Sequence, residues 1–149
     1  RRSGMATLDN VIVEFATRRA MPPPALDEET GGYALAIGGR HIIHLREQGG
    51  AVAACAWLAD LPPDDQRREE TLRRLLRGEL ARFAEDDAVL SLDQDAGALQ
   101  MHRLVDRAAL DVDSFEALLQ SLVDAVERRR RILGERPRTR PIAPLVIRP

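Results

Sequence analysis

The 149-residue chain has no lysine, a single cysteine and very few aromatic side chains, and each shortage closes off a class of protein. With Cys55 alone, no internal disulfide can form, which suits a reducing compartment. Tyr33, Trp57 and three Phe cannot furnish a core by themselves, so Leu, Val, Ile and Ala must build it. All 22 basic residues are Arg, a bias that reflects a GC-rich genome ahead of any recognition role. No apolar run approaches the roughly 20 residues of a membrane span, and no secretory signal is visible. The expectation is a soluble, cytoplasmic protein without membrane insertion. Basic surface is missing too. Residues 5–134 carry 16 Arg against 23 Asp and Glu, a balance of −7, which argues against general nucleic-acid binding.

What is present suits one domain of ordinary globular balance, 44% hydrophobic and 31% charged. Residues 1–4 (Arg1-Arg2-Ser3-Gly4) read as a cloning remnant ahead of Met5, residues 5–134 as the domain, and residues 135–149 as a Pro/Arg-rich tail. Thr7 is placed to cap a helix over 8–20, with Leu8, Val11, Ile12 and Phe15 on one stripe. Three strands follow, over 33–37, 40–47 and 51–60, separated by Gly38-Gly39 and Gly49-Gly50 turns that imply an antiparallel meander. A second helix over 66–84 sets Leu72, Leu75, Leu76, Leu80 and Phe83 on one face, with Glu69–Arg73 and Glu70–Arg74 paired at i,i+4. Strands over 88–93 and 98–104 come next, then a helix over 114–133 whose expected capping box is Asp113 with Glu116. Arg128 to Arg131 crowd its end as a solvated run that counters the helix dipole, and Gly134 closes it.

Catalytic signatures are absent from this pattern. The glycine pairs are turns, and no Ser has the glycine flanks of a nucleophile elbow. His41 and His44 are three apart in a strand and so point to opposite faces, while His102 stands alone in sequence. Cys55 sits in an apolar run and reads as a small buried hydrophobe, and Asp86, Asp87, Asp93 and Asp95 read as solvated turn residues. No metal, cofactor or enzymatic activity is expected. The notable surplus is apolar surface. In the third strand Val52, Ala54, Ala56 and Leu58 alternate with Ala53, Cys55, Trp57 and Ala59, so both faces look apolar and the second needs a cover.

The helix–βββ–helix–ββ–helix order and three local runs resemble the Tir-chaperone (CesT-type) family of type III secretion chaperones. The runs are Tyr33-Ala-Leu-Ala-Ile with Ile42-Ile43-His44-Leu45; Trp57-Leu-Ala-Asp-Leu-Pro62 leading into Leu75-Leu76; and Ala88-Val-Leu-Ser-Leu-Asp with Leu99-Gln-Met-His-Arg-Leu and Leu110-Asp-Val-Asp-Ser-Phe-Glu. Where relatives often show Asn after the paired leucines of helix two, this chain has Gly78-Glu79.

The resemblance implies an α+β fold, an antiparallel sheet with helices packed on it, assembled as a homodimer. It implies a chaperone that uses no ATP or cofactor, binds an extended N-terminal segment of a secreted effector, keeps it export-competent and presents it to the export apparatus. By the same analogy the dimer interface falls to Leu72, Leu76, Leu80, Val89 and Leu92, and the effector-binding surface to Val11, Phe15, Leu35, Ile37, Ile43 and Leu45. The tail's apolar cluster, Ile142, Leu145, Val146 and Ile147, is a candidate occupant of the client groove. The competing expectation is a protein-binding adaptor or regulatory module of similar fold outside secretion.

Overall fold

The computed structural model describes residues 7–82 and 87–134. The tail and Phe83 lie outside the described residues. The elements follow the expected order: α1 (Leu8–Arg18), β1 (Gly32–Ile37), β2 (His41–Gln48), β3 (Ala51–Asp60), α2 (Asp65–Arg82), β4 (Val89–Asp93), β5 (Ala98–Asp106), a 3-10 turn (Arg107–Ala109) and α3 (Val112–Leu133).

Local chemistry sets the boundaries. The Thr7 hydroxyl accepts the Asn10 N–H at 3.2 Å and starts α1. The helix ends at Arg18, short of the expected residue 20, because Ala20 turns left-handed at φ 53. Its N–H bonds the Thr17 carbonyl and Met21 N–H reaches back to the Ala16 carbonyl, a Schellman closure built without the usual glycine. In the β1–β2 turn Gly38 and Gly39 both take positive φ, and Arg40 N–H closes onto the Ile37 carbonyl at 3.2 Å.

The cap of α3 departs from expectation. Asp111, two residues before the predicted Asp113, accepts the Ser114 N–H at 2.7 Å, while the Ser114 hydroxyl accepts the Asp111 N–H at 2.9 Å. Asp113 and Glu116 are engaged elsewhere, pairing with Arg18 and Arg19 at the end of α1. Gly134, at φ 68, closes α3 as expected.

The five strands form one antiparallel sheet in the order β1-β2-β3-β5-β4. Cross-strand register puts Leu35, Ile43, Ala56, Met101 and Leu90 in one row across all five strands. This row belongs to the inner face, against which α3 packs across β3 and β5, and α1 and α2 each pack against α3. Phe15 and Phe115 meet edge to face there, with centroids 5.3 Å apart.

Candidate functional site

Rotating each strand by one residue gives the outer face. There Ala34, His44, Cys55, His102 and Val89 form a second row across the sheet, with Arg46, Ala53 and Leu104 in the next. The sequence of β3 alone suggested an apolar outer face, and the register corrects that. Ala53, Cys55 and Trp57 are flanked by His44 and Arg46 on β2 and by Gln100 and His102 on β5.

A groove of about 490 Å³ lies over this row, bordered by Asp27 and Thr30 ahead of β1 and by Leu104 on β5. Within it the Cys55 thiol donates to Gln100 Oε1 at 3.3 Å and sits 3.8 Å from His102 Nε2. His102 is isolated only in sequence, since β3–β5 pairing sets it beside Cys55.

The charges of the groove lie in Asp27, Arg46 and Arg103, while its centre is neutral. Burial, with help from Asp93, pushes the Cys55 thiol up to about 11, so it stays protonated at neutral pH and is a poor nucleophile. Partial desolvation lowers the His44 and His102 imidazoles below the ordinary histidine value. Among the described residues no three His, Cys, Asp or Glu side chains converge to hold a metal. The arrangement offers a mostly apolar floor with the neutral polar groups of Cys55, Gln100 and the histidines and a charged rim of Asp27, Arg46 and Arg103, a surface that can hold a polypeptide.

Among the described residues both sheet edges are open. β1 pairs with β2, and among the described residues its other side meets only a bridge between Asp27 and Gly32. Among the described strands β4 pairs only with β5. Leu76, Leu80, Val89 and Leu92 are exposed on α2 and β4, Leu80 at 87%. Leu72 is half-buried against the core. The predicted single apolar face of α2 is thus divided, with Leu75 buried and Leu76 and Leu80 left out.

The residues assigned to the effector have a different fate. Val11, Phe15, Leu35, Ile43 and Leu45 are each 4% exposed or less and lie in the monomer's own core, with Ile37 half-buried at its margin.

The arginine run of α3 is also not what its sequence suggests. Arg129 is 2% exposed and Arg130 7%, so half of the run is interior. Arg129 grips Glu79 of α2 through Nε and Nη2 at 2.9 and 3.0 Å and donates Nη1 to the Ala125 carbonyl. Arg130 donates to the Leu58 and Trp57 carbonyls beside the β3 bulge, with its guanidinium 5.1 Å from the Trp57 ring centroid. His41, on the inner face as its spacing required, bonds Glu127 at 3.0 Å through Nε2, while its buried Nδ1 meets no partner among the described residues. Only the partners supplied by the fold could have marked these arginines.

The profile of the Tir chaperone protein (CesT) family matches residues 10–130. The chain belongs to that family. No curated protein sequence matches it. Solved structures of similar fold include a chain of the ExsC–ExsE complex, at TM-score 0.70 and 23% identity, covering 89% of this chain and 97% of that one. A chain of the HopA1–SchA chaperone–effector complex aligns at TM-score 0.65 and 18% identity, over 81% of this chain and 91% of that one. A chain of the Yersinia pestis type III secretion chaperone SycH in complex with a fragment of YscM2 aligns at 0.59 and 20%, over 82% and 98%. These likenesses establish the CesT fold, including the five-stranded sheet with its three helices. No helix among the described residues is long and apolar enough to cross a membrane.

Proposed function

We propose that this CesT-family protein is a cytoplasmic type III secretion chaperone that binds the N-terminal region of a secreted effector and catalyses no reaction. The observation that carries the reading is the outer face, which no other described element covers, with its mainly apolar groove of about 490 Å³ beside the β1 edge, rimmed by Asp27, Arg46 and Arg103. An extended client can add a strand to that edge, main-chain hydrogen bonds giving generic affinity while the groove receives alternate side chains and sets register. Ordering an extended segment is costly, so a long contact is required. A second protomer lengthens the track and joins two weak contacts on one client.

The dimer seam in this reading is the α2–β4 surface, where Leu76, Leu80, Val89 and Leu92 present apolar side chains to solvent. The occupant is a second copy of the chain, since an interface repeated by symmetry buries each exposed leucine twice. Delivery of the client to the export apparatus completes the role.

The test is purification of the tagged chain from its native host during secretion, with identification of the co-purifying protein. The expected result is a secreted protein that loses binding when its N-terminal region is removed, and whose export drops when the chaperone gene is deleted. A partner that is never exported, with secretion unaffected by the deletion, refutes the proposal.

A further inference from the structure

The main-chain ladder of β1 fixes where an added strand can pair. The Gly32 carbonyl accepts the Asp27 N–H at 2.8 Å, so it points away from β2. Directions repeat at every second residue of a strand, so the N–H and C=O groups of Ala34 and Ala36 point the same way. Among the described residues nothing pairs with them. The segment ahead of β1 closes the edge at Gly32, where the Gly31 N–H also bonds the Asp27 carbonyl at 2.7 Å. A client strand therefore pairs with Ala34 and Ala36 and ends at the Asp27 bridge.

On the outer face such a strand has little side chain beside it. Ala34 pairs with His44, and Gly32 with Arg46. A Cβ at Gly32 would sit 2.8 Å from the Leu45 carbonyl and 3.4 Å from the Arg46 Cβ, so that row stays bare. On β3 the neighbour of Arg46 is Ala53. Arg46 thus stands exposed between a glycine and an alanine, and its guanidinium makes no hydrogen bond or ion pair with the described residues. The other charges nearby are engaged. Asp27 accepts the Glu29 N–H at 3.0 Å on one oxygen and the Thr30 hydroxyl at 2.9 Å on the other. Glu47 accepts from the Leu8 N–H and from Arg107, and Arg103 donates to Ser121 and Asp87. Among the described residues Arg46 is the one charge of the groove left without a partner.

We propose that the client segment carries a carboxylate side chain, Glu in preference to Asp, that docks on Arg46, with an apolar residue two positions away over Ala34 and Cys55. The inference rests on the client reading given above and goes further by naming what the segment must contain. Two strand spacings, about 10 Å, separate an added strand from β2. The side chains of Glu and Arg close that gap between them across Gly32, which puts nothing in the way. Residues two apart share a face, so the apolar neighbour falls on the groove floor. A carboxylate meets a guanidinium in a planar fork, which fixes orientation as well as charge. Register follows, because a slip of one residue turns the acid from Arg46 to the inner side of β1, where Tyr33 and Leu35 lie.

The experiment screens the full chain against a displayed library of random peptides about 12 residues long, twice a typical strand. Wild type is expected to enrich Asp or Glu at one position with an apolar residue two places away, and Arg46→Glu to enrich Arg or Lys at that position instead. A peptide selected on wild type should bind Arg46→Glu about tenfold more weakly and recover when its own acid is exchanged for Arg. Should Arg46→Glu not fold, Arg46→Gln decides, with a loss of about threefold for the acidic peptide and none for its Gln counterpart. Hydrogen exchange at the Ala34 and Ala36 amides should slow as the peptide binds, which locates it at the edge. Enriched peptides with no preferred acid, or the same preference in Arg46→Glu, overturn the proposal and leave the client reading standing. Protection of Ala34 and Ala36 that rises with the chain's own concentration puts a second copy on this edge and also overturns it. A library from which wild type selects nothing defeats the client reading itself, and this inference with it.

Discussion

Replacing Leu80 with Ala separates a solvated leucine from one waiting for a partner. In the monomer Leu80 is 87% exposed, so its truncation removes almost no buried surface. Leu and Ala are both strong helix formers, and the helix itself changes by only a few tenths of a kcal/mol. In a symmetric dimer the arithmetic differs. The substitution deletes three carbons worth about 0.8 kcal/mol each when buried, or ~2 kcal/mol per protomer once the exposed share is applied. The symmetry doubles that to ~4 kcal/mol, which corresponds to a dissociation constant about a thousandfold weaker. Sedimentation equilibrium across a wide concentration range measures this directly. Thermal melting of the dilute monomer should be unmoved, while melting at high concentration should drop as dimer linkage is lost. A variant that dimerises as tightly as wild type refutes the assignment of Leu80 to the seam.

Three further outcomes are expected. Ala20→Gly relieves a left-handed alanine at the α1 closure and should stabilise the chain by about 1 kcal/mol in urea unfolding, with no change in client binding. Gly32→Ala should do the reverse, since an added Cβ meets the Leu45 carbonyl at 2.8 Å; a loss of about 1–3 kcal/mol, with faster hydrogen exchange in β1, is the expected signature. Stability should also fall as pH drops from 7.5 to 5.5. Burial lowers His41, against the pull of Glu127 and with the help of Arg130, and desolvation lowers His44 and His102, so the unfolded chain takes up protons first below about 6.5. The stabilisation is therefore complete above that value and is lost towards the lower folded values. Urea midpoints should show the decline, and His41→Gln should flatten it by removing one of the three titrations.

The parts of the fold set by local chemistry were legible in the chain, and the parts set by pairing were not. Thr7, the Gly38-Gly39 and Gly49-Gly50 turns and Gly134 act on their immediate neighbours, and each does what its residue type dictates. The ion pair Glu69–Arg73, at 2.8 Å, is equally local. The polarity of the outer face is different in kind. Cys55 looked buried and apolar because its sequence neighbours are Ala54 and Ala56, but its neighbours in space are His44 and His102, set by strand registers that no single strand reveals. The same holds for Arg129 and Arg130. A run of arginines at a helix end resembles a solvated cap until α2 supplies a carboxylate and β3 supplies two carbonyls.

The burial of the residues assigned to the effector has a related reason. Family analogy assigns Val11, Phe15, Leu35, Ile43 and Leu45 to the client, and a monomer of this size spends such apolar residues on its own core first. In the proposed reading the client surface is built from what remains: buried Ala34, half-buried Ala53, Cys55 and His102, and exposed His44, with Asp27, Arg46 and Arg103 as the charged rim. That composition has a mechanical merit for a protein that must later release what it holds. Deep apolar pockets would add affinity through buried area, at about 25 cal/mol per Å², and would slow dissociation accordingly. A shallow floor beside an open strand edge draws instead on main-chain hydrogen bonds, each contributing only about 0.5–1.5 kcal/mol net. Affinity then accumulates over length, and a client pulled from one end can leave one contact at a time.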